Sequence, residues 1–323
     1  MVKKSVSVVI ITYNQEKTIS KAIESVLEQK DISHLEILIG DDRSSDTTGQ
    51  ILNSYKIKYP DIIFKIFSRK INIGPSANLY KLFENCTSDY IAILEGDDFW
   101  TDSFKLKKQI QFLEKNNSYV GCVHRYMTVD EDENIIQSEF VGHGTPNIGT
   151  YTIDDFKNYI YFGHIGTLVF RNLFQDKKID FSIIKNGHNF IADISLNLLL
   201  SLNGKIEVLQ DNMAAIRQNV SSDGSNYKSV IFKKNQVISR IEYLEKLKKY
   251  ALEQFNYDLI YTNRNEYYFA WSILYLLRYP SKHNLEALRY TLKLNPNKLK
   301  LFFYLIRNLH RLFIKIKLQL FNN

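Results

Sequence analysis

The first 130 residues alternate short apolar runs with stretches in which apolar residues recur at helical spacing. The apolar runs predict five strands, which are Val6 to Thr12, Leu35 to Gly40, Ile62 to Phe67, Tyr90 to Leu94 and Val120 to Met127. Runs without polar alternation suit strands that are buried on both faces, as in a parallel sheet covered by helices. This region therefore predicts an α/β domain, a mostly parallel, doubly wound (Rossmann-like) sheet with helices on both faces.

Helices are predicted between these strands and after them. The segment that follows the first strand collects apolar residues on one helical face, namely Ile19, Ala22, Ile23, Val26 and Leu27. The other elements predicted from the pattern are helices at Ser76 to Phe83, Ser103 to Leu113 and Phe190 to Leu202, a strand at Thr167 to Phe170, and Asn203 with Gly204 as a helix C-cap.

Glycine and asparagine are frequent between residues 142 and 150, and turn-forming residues between 219 and 226, which predicts loops. We predict a domain at residues 1–227, with halves at 1–130 and 131–227, and a helical C-terminal region at 228–323. A chain of 323 residues is long enough for one large domain or two modest ones.

The composition is that of a folded protein, with 45% hydrophobic and 24% charged residues. Two cysteines are too few for a disulfide framework, and the seven histidines show no zinc-ligand spacing. The net charge of +7 comes from the C-terminal part, because eight basic residues and no acidic residue follow Glu286, which leaves about −1 for residues 1–286. We therefore expect no nucleic acid partner.

Membrane insertion is not expected from the sequence. The early apolar run Val6 to Ile11 is ended by polar residues from Thr12 onward, too soon for the core of a signal peptide. No stretch of the sequence reaches the ~18 consecutive apolar residues that a spanning helix needs. With so few cysteines, these features predict a cytoplasmic protein.

Polar side chains follow four of the predicted strands. They are Thr12-Tyr13-Asn14 after the first strand, Asp41-Asp42 after the second, Asn72-Ile73-Gly74 beyond the third and Glu95-Gly96-Asp97-Asp98 at the end of the fourth. In an open α/β sheet, ligands bind beyond the carboxyl ends of the strands. Three neighbouring carboxylates repel one another unless a cation is present, and such oxygen ligands suit Mg²⁺ or Mn²⁺. The alternative is a solvated acidic turn.

In this order the segments resemble the family 2 inverting glycosyltransferases of the GT-A fold. Val6 to Asn14 is similar to their first strand, Asp41 to Asp46 to their Asp-Asp-Gly-Ser-x-Asp turn, and Tyr90 to Trp100 to their metal-binding strand exit. The resemblance covers roughly the first 130 residues and continues at single positions to about residue 225. It implies transfer of one hexosyl or N-acetylhexosaminyl group from a nucleotide-sugar, a UDP-sugar, to a glycan or lipid-linked acceptor in bacterial surface-glycan biosynthesis.

The resemblance also implies a metal centre. Glu95-x-Asp97 occupies the position of the family's Asp-x-Asp, with Asp97 as the direct ligand of Mn²⁺ or Mg²⁺ and Glu95 beside it. Asp98 is the neighbour that faces the metal or the acceptor. The cation would neutralise the charge of the donor diphosphate as the nucleotide leaves.

For the nucleotide, the resemblance implies that Tyr13 stacks on the base and Asp42 accepts a hydrogen bond from a base N–H. The other candidates for donor contacts are Thr12, Asn14, Asp41, Asn72 and Arg217. Arg217 is similar to a late basic residue that meets the diphosphate from a mobile loop, and the alternative is a surface arginine. Asp41, with Asp46, alternatively caps the helix that follows.

An inverting transfer needs a general base that takes the proton of the acceptor hydroxyl. The family supplies it from an acidic pair near the start of a later helix, and Ala192-Asp193 occupies that place, so Asp193 is the predicted base. A carboxylate at the first turn of an apolar helix is alternatively a plain cap. His164 and His188 are left outside the predicted site, because a lone histidine is more often structural.

Several residues depart from the family pattern. Arg43 replaces a glycine, Glu95 replaces an aspartate, and residues 72–78 lack an arginine that many relatives have there. The Gln-x-x-Arg-Trp signature of processive synthases is absent, which favours single-sugar transfer. Because one acid of the pair is missing, a catalytically silent nucleotide-sugar-binding subunit of a membrane complex is an alternative. A Mg²⁺-dependent phosphotransferase is disfavoured, since the sequence has no phosphate-cradling glycine loop.

The C-terminal residues form a predicted amphipathic helix. Its apolar face is Phe302, Leu305, Ile306, Leu309, Phe313, Ile316 and Leu320, and its polar face is Lys300, Tyr304, Arg307, Asn308, Arg311 and Lys315. Such a helix lies in the headgroup layer, where each basic residue adds ~1 kcal/mol toward anionic lipid. We expect peripheral attachment to an anionic membrane at the inner face of the cell membrane. The alternative is a helix packed on its own domain or on a partner subunit.

Overall fold

The computed structural model describes residues 2–140, 149–176, 178–218, 236–295 and 297–307. The chain divides into two compact units, Met1–Val220 with Lys249–Asp258, and Ser221–Lys248 with Leu259–Asn323. The predicted loop at 219–226 and the predicted boundary at residue 227 lie outside the described residues, as does most of the predicted loop at 142–150. The domain division at residue 227 stays a prediction.

A ten-stranded sheet forms the body of the first unit. Its strands are β1 (Val2–Thr12), β2 (Ile32–Asp41), β3 (Ile63–Ser68), β4 (Tyr90–Glu95), β5 (Phe99–Trp100), β6 (Tyr119–Val129), β7 (Ile135–Phe140), β8 (Thr150–Tyr151), β9 (Val169–Arg171) and β10 (Lys205–Arg217). Their order across the sheet is β3-β2-β1-β4-β9-β6-β10-β5, with β7 beside β6 and β8 beside β10.

The long strands of this sheet share one direction. β3, β2, β1 and β4 are mutually parallel, and β6 is parallel to β10. The antiparallel strand β9 lies between β4 and β6 and joins the two parallel groups. Consecutive residues Val8, Val9 and Ile10 are fully buried, so both faces of β1 are covered, as a parallel sheet requires. The predicted mostly parallel α/β fold is confirmed.

Helices pack around the sheet in the first unit and form the described part of the second. They are α1 (Ile19–Leu27), α2 (Thr48–Lys58), α3 (Pro75–Phe83), α4 (Lys105–Lys115), α5 (Ile153–Lys157), α6 (Ile183–Asn186), α7 (Ala192–Asn203), α8 (Val237–Phe255), α9 (Arg264–Arg278) and α10 (Lys282–Lys293), followed by a helical segment at residues 298–307. Across the described ranges, none of these helices is long and apolar enough to span a lipid bilayer.

In the later part of the first unit, the strands β9 and β10 differ from the sequence prediction. The predicted strand at Thr167 to Phe170 begins at Val169, because Ile165–Thr167 form a 3-10 turn in which the Thr167 hydroxyl donates to the His164 carbonyl at 2.7 Å. β10 was not predicted. Its register shifts between Leu209 and Asn212, so the polar residues there interrupt the apolar pattern that marks the other long strands.

Candidate functional site

The predicted polar strand ends meet at one edge of the sheet. Thr12 is paired with Asp41 across β1 and β2, and Ile11 is paired with Glu95 across β1 and β4. Because these strands are parallel, their carboxyl ends open on the same side. The structure therefore brings together the first, second and fourth strand exits that the sequence singles out.

The acidic turn, residues Glu95 to Asp98, follows β4 directly. It is closed by a hydrogen bond of 3.0 Å from the Asp98 N–H to the Glu95 carbonyl. Gly96 lies so close to its neighbours that an added Cβ would be 2.4 Å from Gln15 Oε1 and 3.0 Å from Thr12 Cβ. A glycine is therefore required between the two acids for the turn to pack against β1.

Asp98 is the most buried carboxylate of the acidic turn, with 2% of its surface exposed. Its Oδ1 accepts a hydrogen bond of 2.8 Å from the Arg217 N–H. Its Oδ2 is also buried and has no hydrogen-bond partner among the described residues. A buried carboxylate oxygen without a hydrogen-bond donor destabilises the folded protein. We therefore expect this atom to bind a cation or a proton.

His164 lies beside two carboxylates of the acidic turn. Its Nε2 lies 3.1 Å from Glu95 Oε2, and its Nδ1 lies 3.8 Å from Asp98 Oδ2. Ligand atoms of Glu95, Asp98 and His164 all lie within 4.8 Å of one another, an arrangement that can hold a metal ion. His164 was left outside the predicted site as a lone histidine, and no sequence spacing links it to the acidic turn.

The charges in this group shift the pKa values of its members. Burial, and then the charge of Glu95, raises the pKa of Asp97 to about 6, and burial with the charge of Asp97 raises the pKa of Asp98 well above its usual value. Burial alone would lower the pKa of His164, but its hydrogen bond with Glu95 and the nearby carboxylates raise it to about 9. The Gly166 N–H, which donates to His164 Nδ1 at 3.2 Å, opposes that protonation. The group therefore favours an added positive charge.

The predicted metal ligand Asp97 is half-buried, and its carboxylate is not part of the close group that Glu95, Asp98 and His164 form. The Asp97 carbonyl accepts a hydrogen bond of 2.8 Å from Arg217 Nε. The role of Asp97 as the direct ligand stays a prediction.

The nucleotide side of the predicted site is held by backbone hydrogen bonds. Asp42 Oδ1 and Oδ2 accept from the N–H groups of Ile73 and Gly74, each at 2.8 Å. Asp42 thus anchors the loop that contains Asn72, whose Oδ1 accepts from the Gly74 N–H at 3.2 Å. Each carboxylate oxygen has a second lone pair, so a contact of Asp42 with a base stays compatible with this anchoring.

Asn14 and Asp41 hold the turn that follows β2. Asn14 adopts a left-handed backbone conformation, and its Oδ1 accepts from the Ser45 N–H at 2.8 Å. Asp41 Oδ1 accepts from the Ser44 N–H at 2.9 Å. Tyr13, between them, is 49% exposed and available for stacking, whereas the buried Thr12 hydroxyl has no hydrogen-bond partner among the described residues.

Arg69 is a basic residue at this edge that the sequence analysis did not select. It directly follows β3, and its N–H donates to the Asp41 carbonyl at 2.9 Å. Its Nε donates to Asn78 Oδ1 at 3.1 Å, and its buried Nη2 has no hydrogen-bond partner in the described ranges. The signal that could have identified it is its position immediately beyond the third strand exit.

Asp193, the predicted base, lies in the first turn of α7 and is exposed. The segment that leads into α7 contacts the first turn of α3, which follows the loop anchored by Asp42, because the Ser76 N–H donates to the Asn189 carbonyl at 3.3 Å. The start of α7 is thereby tied to the third strand exit. The catalytic role of Asp193 stays a prediction.

Arg217 is the last residue of β10, paired with Val129 of β6, so its predicted position in a mobile loop is wrong. The strand pairing fixes its backbone, and only 5% of its side-chain surface is exposed. Its guanidinium contacts the Asp97 carbonyl and the Glu133 carboxylate. A contact of Arg217 with a donor diphosphate stays a prediction.

The described fold and sequence match known proteins. The profile described as "Glycosyl transferase family 2" matches residues 7–179. The chain is 40% identical over 116 residues to the putative glycosyltransferase EpsE of Bacillus subtilis, a match that covers 35% of this chain and 40% of that protein. The chain spans 36% to 40% of the length of the first curated relatives that it matches.

Solved structures with this fold include two complexes with a nucleotide-sugar. The S. aureus TarS fragment 1-349 in complex with UDP-GlcNAc has a TM-score of 0.60 and 16% identity over 89% of this chain and 79% of that chain. The mannosyltransferase PcManGT of Pyrobaculum calidifontis in complex with GDP-Man and Mn²⁺ has a TM-score of 0.50 and 14% identity over 95% of this chain and 86% of that chain. These similarities show the GT-A fold. Because the family profile matches more than half of its residues, the chain belongs to glycosyl transferase family 2.

Proposed function

We propose that the protein transfers one sugar from a nucleotide-sugar donor, a UDP-sugar, to a hydroxyl of a glycan or lipid-linked acceptor, with inversion at the anomeric carbon. The observation that carries the proposal is the group at the end of β4. There, Glu95 and Asp98 of the acidic turn lie close to His164 and form a site that can hold a positive charge. A nucleotide diphosphate needs such a counter-charge as it leaves. The fold shared with TarS and PcManGT, which bind UDP-GlcNAc and GDP-Man, supports the donor class.

The proposed cofactor is a divalent cation, Mn²⁺ or Mg²⁺. Its ligands would come from Asp97, Glu95, Asp98 and His164, and the buried Asp98 Oδ2 without a donor supports the fit. An imidazole among the ligands favours Mn²⁺ over Mg²⁺, which prefers oxygen. The contact of Glu95 with His164 Nε2 would orient the imidazole beside the ion.

We assign the donor and acceptor contacts to residues near the carboxyl-terminal edge of the sheet. Tyr13 stacks on the uracil ring, and Asp42 accepts a hydrogen bond from its N–H while it anchors residues 72–74. Asp193 takes the proton of the acceptor hydroxyl as its oxygen attacks the anomeric carbon, and the bond to the nucleotide diphosphate breaks on the opposite face. The exposed position of Asp193 at the start of α7 leaves its carboxylate accessible to an acceptor.

A screen of UDP-sugars with Mn²⁺, in which free nucleotide is measured, tests the proposal. We expect the wild-type protein to release UDP from one donor, and Asp193→Asn to lose about a hundredfold or more of the transfer rate while it binds UDP unchanged. Asp97→Asn should lose Mn²⁺-dependent UDP binding in calorimetry. Transfer that is unchanged in Asp193→Asn would refute the assignment of the base. If the wild-type protein binds UDP and Mn²⁺ but transfers no sugar, the silent-subunit alternative is correct.

We also propose that the protein acts at the inner face of the cell membrane in the assembly of a surface glycan. In the helical segment at residues 298–307, Leu299, Phe302, Phe303 and Ile306 are at least half exposed, whereas Leu301 is buried. Exposed aromatic side chains among basic residues suit the headgroup layer of an anionic bilayer. The residues of the predicted helix from Asn308 onward lie outside the described residues.

A further inference from the structure

The Arg217 guanidinium is held by several hydrogen bonds at the end of β10. Its Nε donates to the Asp97 carbonyl at 2.8 Å, its Nη1 donates to the Glu131 carbonyl at 3.1 Å, and its Nη2 lies 3.0 Å from Glu133 Oε1. The guanidinium also stacks over the Phe99 ring, 5.5 Å from its centroid. A cation therefore lies beside the acidic turn without using the carboxylates of that turn.

The β6–β7 hairpin turn, residues 130–134, has internal hydrogen bonds that fix the position of Glu133. Asp130 Oδ1 accepts from the N–H groups of Asp132 and Asn134, at 3.0 and 2.8 Å, and Glu133 has a left-handed backbone with φ of 67°. The second carboxylate oxygen of Glu133 pairs with Lys21 Nζ. Lys21 Nζ lies 4.2 Å from the centroid of the Phe99 ring that Arg217 also covers. Two cations and one aromatic ring thus fix the position of this carboxylate.

A guanidinium beside three carboxylates would be expected to pair with one of them, since its planar donors match a carboxylate. Within the described ranges, the only carboxylate that pairs with Arg217 is Glu133, on a different element. If Glu133 were absent, the carboxylate of Asp97, whose carbonyl Arg217 already contacts, would be an alternative partner in the acidic turn. Arg217 would then compete with a metal ion for the same oxygen atoms.

We propose that Glu133 is a positioning residue that holds Arg217 on the β6–β7 hairpin turn and so keeps the carboxylates of the acidic turn available to the metal. The proposal rests on the metal-dependent function proposed above. It assigns a role to the hairpin turn, which none of the family motifs includes.

Titration with Mn²⁺, followed by electron paramagnetic resonance of the free ion, measures this competition without a sugar substrate. We expect Glu133→Gln to weaken Mn²⁺ binding about tenfold, because the freed guanidinium turns to the acidic turn. The double variant Glu133→Gln/Arg217→Met should restore the wild-type affinity within about twofold, since the competing guanidinium is removed. The Arg217 N–H, which binds Asp98, is retained in this variant.

Glu131→Gln is the matched control. It removes one negative charge from the same hairpin turn, but Arg217 contacts only the Glu131 carbonyl, which the substitution retains. We expect unchanged Mn²⁺ affinity, because the exposed Glu131 carboxylate is screened by solvent. An equal loss in Glu131→Gln would show a general charge effect and refute the proposal.

Three further outcomes would also refute it. Equal Mn²⁺ affinity in Glu133→Gln and the wild-type protein would refute the positioning role but leave the proposed function intact. If Glu133→Gln weakens Mn²⁺ binding and the double variant does not restore it, the weaker binding comes from disruption of the hairpin turn and not from competition by Arg217. A wild-type protein that binds no Mn²⁺ would refute the metal-dependent function itself, and the positioning role with it.

Discussion

Single residues at the centre of the first unit are limited by close packing and by buried charge. Gly96 lies between two acids and faces Gln15, Thr12 and Ile19 at distances that leave no room for a side chain. Glu36, on β2, is 4% exposed and is surrounded by hydrogen-bond donors. Substitution of Gly96 is limited by the space around it, whereas substitution of Glu36 is limited by the loss of its buried charge.

Substitution of Gly96 by alanine should displace the acidic turn. The new Cβ would contact Gln15, which can move, but also Thr12 and Ile19 at 3.0 Å, which are packed in the core. We expect a loss of about 1–3 kcal/mol in the free energy of unfolding, with weaker Mn²⁺ binding. Urea unfolding and Mn²⁺ titration measure the two effects. Gly49→Ala is the control, because its Cβ would meet only Asp41 Oδ2 at 3.5 Å, and it should be neutral or stabilising.

Glu36 should make the free energy of unfolding decrease as the pH falls into the acidic range. Burial alone would raise its pKa, but hydrogen bonds from Lys65, Ser7 and Thr87 lower it to about 2. Because this folded-state pKa is below the unfolded value, the stabilisation is present above about pH 4.5 and is lost as the pH falls toward 2. We expect Glu36→Gln to cost about 2 kcal/mol at pH 7 and to flatten the acid limb of the unfolding curve.

The control for Glu36 is Glu84→Gln on the surface. Glu84 pairs with Lys81 at 2.8 Å, but 37% of its side chain is exposed, so its loss should cost less than about 0.5 kcal/mol. Acid unfolding that follows the same curve in the wild-type protein and Glu36→Gln would contradict the assignment.

At the scale of elements, the sequence predicts the strands that contain a run of consecutive apolar residues more readily than those that lack one. β1, β2 and β4 are recognisable because each has at least three consecutive apolar residues that are buried on both faces of the sheet. β10 contains Gln210, Asp211 and Asn212 where its register shifts, and β5 and β8 have two residues each, too few to show a period. His164 belongs to a segment whose position depends on how β9 joins the sheet, which local sequence does not encode.

The loop between β3 and α3 depends on Asp42. Because both carboxylate oxygens accept backbone hydrogen bonds, Asp42→Asn turns one acceptor into a donor that faces an N–H group. We expect UDP affinity, measured by calorimetry with Mn²⁺, to fall about tenfold and the free energy of unfolding to fall by about 1–3 kcal/mol. Asp89→Asn, which loses hydrogen bonds with Ser5 at the start of β1 and β4, should reduce stability but leave UDP affinity unchanged. Equal UDP binding by the wild-type protein and Asp42→Asn would exclude Asp42 from the donor site.

At the scale of the whole molecule, charge is distributed unequally along the chain. Residues 1–286 carry about −1, whereas the remainder carries only basic charges. The described part of that remainder also exposes large apolar side chains at 299, 302, 303 and 306. A basic segment with exposed apolar residues favours an anionic lipid surface over a neutral one.

Replacement of Phe302 and Phe303 by serine should weaken this membrane contact. We expect the full-length protein to float with vesicles of phosphatidylcholine and phosphatidylglycerol, and the double variant to partition about tenfold less. Leu277→Ser is the control, since Leu277 is 72% exposed on α9 but lies outside the basic segment. Equal flotation of the wild-type protein and the double variant would contradict the proposal. Flotation that does not change with salt concentration or with the content of anionic lipid would also contradict it.

The position of β9 and β10 in the chain determines when the acidic turn acquires its partners. A chain emerging from the ribosome carries the three carboxylates of that turn well before His164 and Arg217 are synthesised. Pairing of β10 with β6 closes a long segment of chain, which is a slow step. Until then the carboxylates repel one another, and a cation from the surroundings is their available partner. A truncated chain that keeps the first four strand exits would therefore still lack the imidazole and the guanidinium that flank the turn.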